Sequence, residues 1–82
     1  MNKRKMLVKI IRNQKNIQFN DFILIVESFG FFRTRGEGSH NIYRRANIAE
    51  FINLQNDNGK AKPYQIKQFL ALVEKYGLKM ED

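Results

Sequence analysis

Apolar residues recur along this chain with two different periods, and the change of period separates helices from strands. Met6, Leu7, Ile10 and Ile11 fall at helical spacing in a lysine-rich frame, predicting a short amphipathic helix over residues 3–12. The polar stretch 13–16 ends it. Asn20 is placed to cap a second helix, with Phe19 before it as a hydrophobic staple. Phe22, Val26 and Phe29 then follow at i, i+4 and i+7, and Gly30 occupies the C′ position. The many β-branched residues here make a buried strand the rival reading; the cap and the glycine favour a helix. Beyond Gly30 the period falls to two. Residues 31–35 read as a strand, Gly36-Glu37-Gly38 as a turn, and residues 40–45 as the returning strand. Residues 51–55 give a third strand with Ile52 and Leu54 on its inner side, and residues 56–59 a turn. Pro63 suits the first turn of a closing helix. Ile66, Phe69, Leu70, Val73 and Tyr76 line one face of that helix, and Gly77 stops it, with Leu78 folding back over the end.

The expected order is therefore an extra N-terminal helix and then αβββα: an α+β two-layer sandwich with three antiparallel strands and two helices on one face. That is the element order of the double-stranded-RNA-binding domain. A length of 82 residues allows one domain, 1–82, with its αβββα core over 20–78. Hydrophobic residues make up 43% of the chain, too many for a disordered tail. The absence of cysteine excludes disulfides and thiolate metal sites. The longest apolar run, residues 22–26, is too short to span a bilayer, and the basic start lacks a signal peptide's apolar core. A soluble cytoplasmic protein with no membrane partner is the expectation.

Charge points to a polyanionic partner. Lys and Arg number 15 against 8 Asp and Glu, giving a net charge of +7. Lys3, Arg4, Lys5, Lys9, Arg12 and Lys15 crowd the first sixteen residues without one acid. Such a terminus reads equally as a solvated face, a loose arm or a binding surface. Arg33, Arg35, Arg44 and Arg45 surround the central hairpin, where Glu37 is the one acidic residue.

His40, the chain's single histidine, opens the returning strand inside that cationic setting. An unperturbed imidazole titrates at about 6.5 and can take a proton near neutral pH. RNA is cleaved when its own 2′-OH attacks the adjacent phosphate, a step helped by a base for the hydroxyl and cations for the oxyanions. His40 is the candidate base. Arg35 and Arg44 have guanidinium forks that match a phosphate. Lys60, Lys62 and Tyr64 fall at or just before the last helix's N-terminus, where N–H groups and the dipole favour phosphate. Ser39 is a candidate for bonding a phosphate oxygen or orienting the imidazole. No general acid is evident beyond Tyr43 or a lysine. No carboxylate cluster suits Mg²⁺, so neither metal nor cofactor is expected. Plainer roles compete: Gly36 and Gly38 for the turn's backbone, Arg44-Arg45 for edge protection, Tyr43 and Tyr64 for packing. Ser39 and His40 point to opposite faces of a strand and do not make a nucleophile–base pair.

The segments Phe29-Gly30-Phe31, Gly38-Ser39-His40-Asn41-Ile42-Tyr43-Arg44, Ile52-Asn53-Leu54-Gln55 and Gly59-Lys60-Ala61-Lys62-Pro63-Tyr64 together resemble the HicA-type toxins. These are small mRNA interferases of type II toxin–antitoxin modules, and the resemblance covers roughly residues 20–78. It implies a double-stranded-RNA-binding-like fold adapted to ribonuclease work, with His40 as the catalytic residue. It also implies a HicB-like antitoxin partner that covers the site. Two departures stand out. Many members carry a second histidine where this chain has Asn41, and another after the third strand, where it has Gln55-Asn56. The competing reading, from a different class, is a non-catalytic RNA-binding module.

Overall fold

The computed structural model describes residues 2–38 and 40–81. Three helices, α1 (Lys3–Arg12), α2 (Phe19–Ser28) and α3 (Pro63–Tyr76), accompany four strands. These are β1 (Phe32–Glu37), β2 (His40–Arg44), β3 (Phe51–Asp57) and β4 (Lys60–Ala61), in the antiparallel order β1-β2-β3-β4. The α+β class and all three expected helices are present. The expected three-stranded sheet gains a short fourth strand.

Asn58-Gly59 supplies the reason for β4. Both residues have positive φ, 52° and 88°, as a two-residue type I′ hairpin requires. What reads as a polar loop over 56–59 is a tight reversal, and β3 runs on to Asp57 before it. The outer side of β4 is covered in turn. Ala61 N–H donates to Ile17 O and Phe19 N–H to Gly59 O, both at 2.9 Å. The second of these bonds explains why α2 starts earlier than Asn20 suggests. Gln18 is its N-cap and makes no side-chain cap; the β-turn carbonyl satisfies the Phe19 N–H, and the Phe19 ring is buried.

α1 is docked and is not a loose arm. Asn2 caps it through a 3.1 Å bond from Lys5 N–H, and Gln14 Nε2 closes its end on the carbonyls of Ile10 and Ile11. Ile10 is wholly buried and Met6 and Leu7 pack on the core, whereas Ile11, expected on the same face, is exposed. The six cations of residues 1–16 all stay at the surface.

Phe69 of α3 anchors the core. Phe22, Phe29 and Phe31 meet its ring edge-on, with centroids 5.5, 5.5 and 5.7 Å away. Ile52 and Leu54 of β3 are buried against the helices as their alternation predicts. α3 ends in a Schellman turn: Leu78 N–H donates to Val73 O at 2.9 Å and Gly77 N–H to Glu74 O at 3.3 Å. Leu78 then packs back on the core.

Tyr76, expected on the core face, instead lies at the surface. Its hydroxyl donates to Glu50 Oε1, and Lys75 Nζ lies 2.7 Å from Glu50 Oε2. The Lys75 bond first, then the Tyr76 bond, pull the Glu50 carboxyl down to about 2. A carboxyl depressed in the folded state stabilises fully above its ordinary value of 4.5 and loses that contribution as pH falls toward about 2. E50Q is therefore expected to flatten the acid side of the stability curve. Thermal midpoints taken between about pH 5 and about pH 2.5 should fall less steeply in the variant than in the parent protein, by an amount typical of an exposed pair.

Candidate functional site

The two faces of the sheet differ sharply. One is packed on helices through Phe31, Tyr43, Ile52 and Leu54. On the other, the strand register sets side chains in three rows across β1, β2 and β3. The first row is Phe32, Arg44 and Phe51; the second is Arg35, Ile42 and Asn53; the third holds His40 and Gln55.

A bulge in β1 creates the second row. The pairing runs Arg33 to Tyr43 and then Arg35 to Ile42, with Thr34 left over. Two arginines at i and i+2 would share one face of a regular strand. Here Arg33 goes to the helix side, where its Nε donates to Asn41 Oδ1 at 2.8 Å, and Arg35 goes to the open side. Thr34 Oγ1 donates to Ile42 O at 3.2 Å, a side-chain bond across the bulge. Gly36 belongs to β1 and not to the turn. A Cβ on it would lie 2.8 Å from both His40 O and Asn41 Oδ1, so the small residue makes room for the Arg33–Asn41 contact. β1 thereby runs on to Glu37, which pairs with His40. Ser39, an expected phosphate or imidazole partner, lies outside the described residues.

His40 and Arg35, with Gly36 and Ile42, line a shallow depression of about 260 Å³. An adjoining one of about 230 Å³ is lined by Thr34, Arg35, Ile42, Arg44 and Phe51. Arg35 is common to both. The His40 and Arg35 side chains are exposed and make no hydrogen bond or ion pair among the described residues. The Arg44 guanidinium stands 5.2 Å from the centre of the Phe51 ring. Three expected site residues, Arg35, His40 and Arg44, are thus brought together on one open surface.

Lys60, Lys62 and Tyr64 are not part of that group. They sit where β4 meets α3, about 9–10 Å from β2 by strand spacing. With the Gln18 carboxamide oriented to satisfy both its atoms, Lys60 Nζ lies 3.0 Å from its oxygen. Lys62 is the N-cap of α3, half-buried, and its carbonyl accepts from Gln65 and Ile66 N–H. Tyr64 is exposed, and its hydroxyl accepts from Gln65 Nε2 at 3.2 Å. The corner joins the site through Gln65, a buried residue that its sequence position does not single out. Gln65 Oε1 accepts the Gln55 N–H at 2.8 Å, and Gln55 is the strand partner of His40.

Two other residues take structural roles. Tyr43 is buried on the helix face, opposite the side that His40 occupies, so it is no general acid for His40; burial raises its phenol above the ordinary value. Arg45 Nε donates to Phe29 O at 2.7 Å, clasping the end of α2 to the end of β2. Among the described residues no three His, Asp or Glu side chains gather where they could hold a metal ion, and no helix is long and apolar enough to cross a membrane. Comparison of the chain with protein-family models, curated proteins and solved structures finds no match.

Proposed function

We propose that this protein is an endoribonuclease that cleaves mRNA in the cytoplasm with His40 as general base and without a metal. The observation that carries this reading is the single histidine on an open sheet face, sharing a depression with Arg35 beside Arg44. In the reaction His40 takes the 2′-OH proton as the 2′ oxygen bonds to phosphorus and the bond from phosphorus to the 5′ oxygen breaks. The leaving oxygen takes a proton from water, which has free access to this face. Arg35 and Arg44 bind the charged phosphoryl oxygens. The products are a 2′,3′-cyclic phosphate and a 5′-hydroxyl.

The helix and strand order supports a double-stranded-RNA-binding-like architecture. With the Gly38-Ser39-His40 motif it supports a HicA-type toxin, restrained by a HicB-like antitoxin over His40 and its arginines. Purified protein should cut mRNA in excess EDTA and leave cyclic or 3′-phosphate ends. Growth arrest on expression should be relieved by the product of the neighbouring gene, co-purifying as a complex. Strict Mg²⁺ dependence with 3′-hydroxyl ends would sink the mechanism. A harmless protein that no neighbouring product binds would sink the toxin assignment.

A further inference from the structure

Of the row Phe32–Arg44–Phe51, only Arg44 takes part in the chemistry above; its two phenyl rings do not, yet they are the most exposed apolar feature of the sheet. Each phenyl is 54% accessible, although Phe51 lies in a strand whose other face is buried through Ile52 and Leu54. Resting on the reading of this face as an RNA site, we infer that Phe32 and Phe51 are a stacking platform for two unpaired bases of single-stranded RNA, held outside the nucleotide that is cut.

Three observations favour this occupant. A nucleotide presents a flat π-face and a negative phosphate together, and the row offers two phenyl rings with a guanidinium between them. The adjoining depressions are cationic, through Arg35 and Arg44, in a chain of net charge +7. The rings also stand two strand spacings apart, about 9–10 Å. That is too far to stack on each other, so each ring is left to a separate base. Duplex RNA keeps its base faces stacked inside the helix and cannot use such rings; splayed single strands can. Position along the strand completes the picture. Arg44 and His40 are four residues apart on β2, about 13–14 Å in an antiparallel strand. A base on Phe51 therefore belongs to a nucleotide other than the one whose 2′-OH meets His40.

The chain contains no tryptophan, so F51W and F32W each place a single reporter in the row. Each variant is titrated at 0.1 M salt with an eight-nucleotide RNA whose riboses are 2′-O-methylated, so that it binds but is not cut. Parallel titrations use an abasic strand of equal length and a 16-base-pair RNA duplex. Stacking predicts quenching by the intact strand and binding weaker by about 5- to 150-fold for the abasic one. F51A and F32A in the otherwise unchanged chain should each weaken the intact strand within the same range, at unaltered melting temperature. The inference is overturned if the abasic strand or the duplex binds as well as the intact strand, or if the alanine variants bind as the parent does. It is equally overturned if no oligonucleotide quenches either reporter and a protein partner does. Failure here is separable from failure of the ribonuclease reading. Cleavage that ignores F32A and F51A removes the platform and keeps the enzyme; base-dependent binding without cleavage does the reverse.

Discussion

H40A is expected to lower RNA cleavage by about 10²- to 10⁴-fold, the usual loss when a positioned general base is removed. Nothing else in the chain can replace the imidazole, since it has one histidine, and Tyr43 is buried on the far side of the sheet. Binding should survive, because the phosphate contacts belong to Arg35 and Arg44 and the stacking contacts to the phenyl rings. Stability should change by no more than about 0.5 kcal/mol, as is usual for an exposed side chain. Initial rates on end-labelled RNA, affinity for an uncleavable oligomer and a thermal melt decide together. Loss of cleavage with affinity and melting point intact identifies a catalytic residue. A variant that cuts at the parental rate eliminates His40 as the base, and the RNA-binding module then becomes the better account.

The largest effect on stability is expected at Phe69, where F69A should cost about 3–5 kcal/mol. The ring is wholly buried and is met edge-on by Phe22 of α2, Phe29 at the end of that helix and Phe31 at the start of the sheet. Its removal opens a cavity where helices and sheet meet, and three neighbours lose their partner at once. Domains of this size have about 5–15 kcal/mol in hand. The variant should therefore melt on the order of 15–30 °C lower, or fail to fold near body temperature. F51A, an equally large deletion at the surface, is the matched control and should melt close to the parent. Calorimetric or circular-dichroism melts of the two proteins test the assignment of core and surface. Comparable losses would contradict it.

The helices were largely legible because each carries its own boundary signals. The polar stretch 13–16 behind α1, Pro63 at the head of α3 and Gly30 and Gly77 behind α2 and α3 are local features that a linear chain displays. The start of α2 was not legible, because its bond to Gly59 O comes from forty residues away. Asn58-Gly59 did carry a readable hairpin signal; taking the polar stretch around it as a loop concealed β4. At the site, His40, Arg35 and Arg44 stand out by residue type. Their common face does not, because Arg33 and Arg35 are kept apart by a bulge that no period of two anticipates. Gln65 escaped for a related reason: a polar residue on a helix reads as surface until a strand N–H is found facing it. Phe32 and Phe51 read as ordinary strand residues until the pairing aligned them on either side of Arg44.

The bulge at Thr34 has a further consequence for how copies of this protein behave toward one another. β1 is a margin of the sheet with no strand paired beyond it among the described residues, whereas β4 is shielded by the chain around Gln18. A flat, regular margin invites another chain's strand to pair with it, and the neighbouring phenyl would make such pairing adhesive. The leftover residue bends and twists this margin, and arginines project from both of its faces. The irregularity that turns Arg35 toward His40 thus also discourages strand-to-strand polymerisation, so a chain shortened by that one residue would keep its arginine facing correctly and become more prone to aggregate.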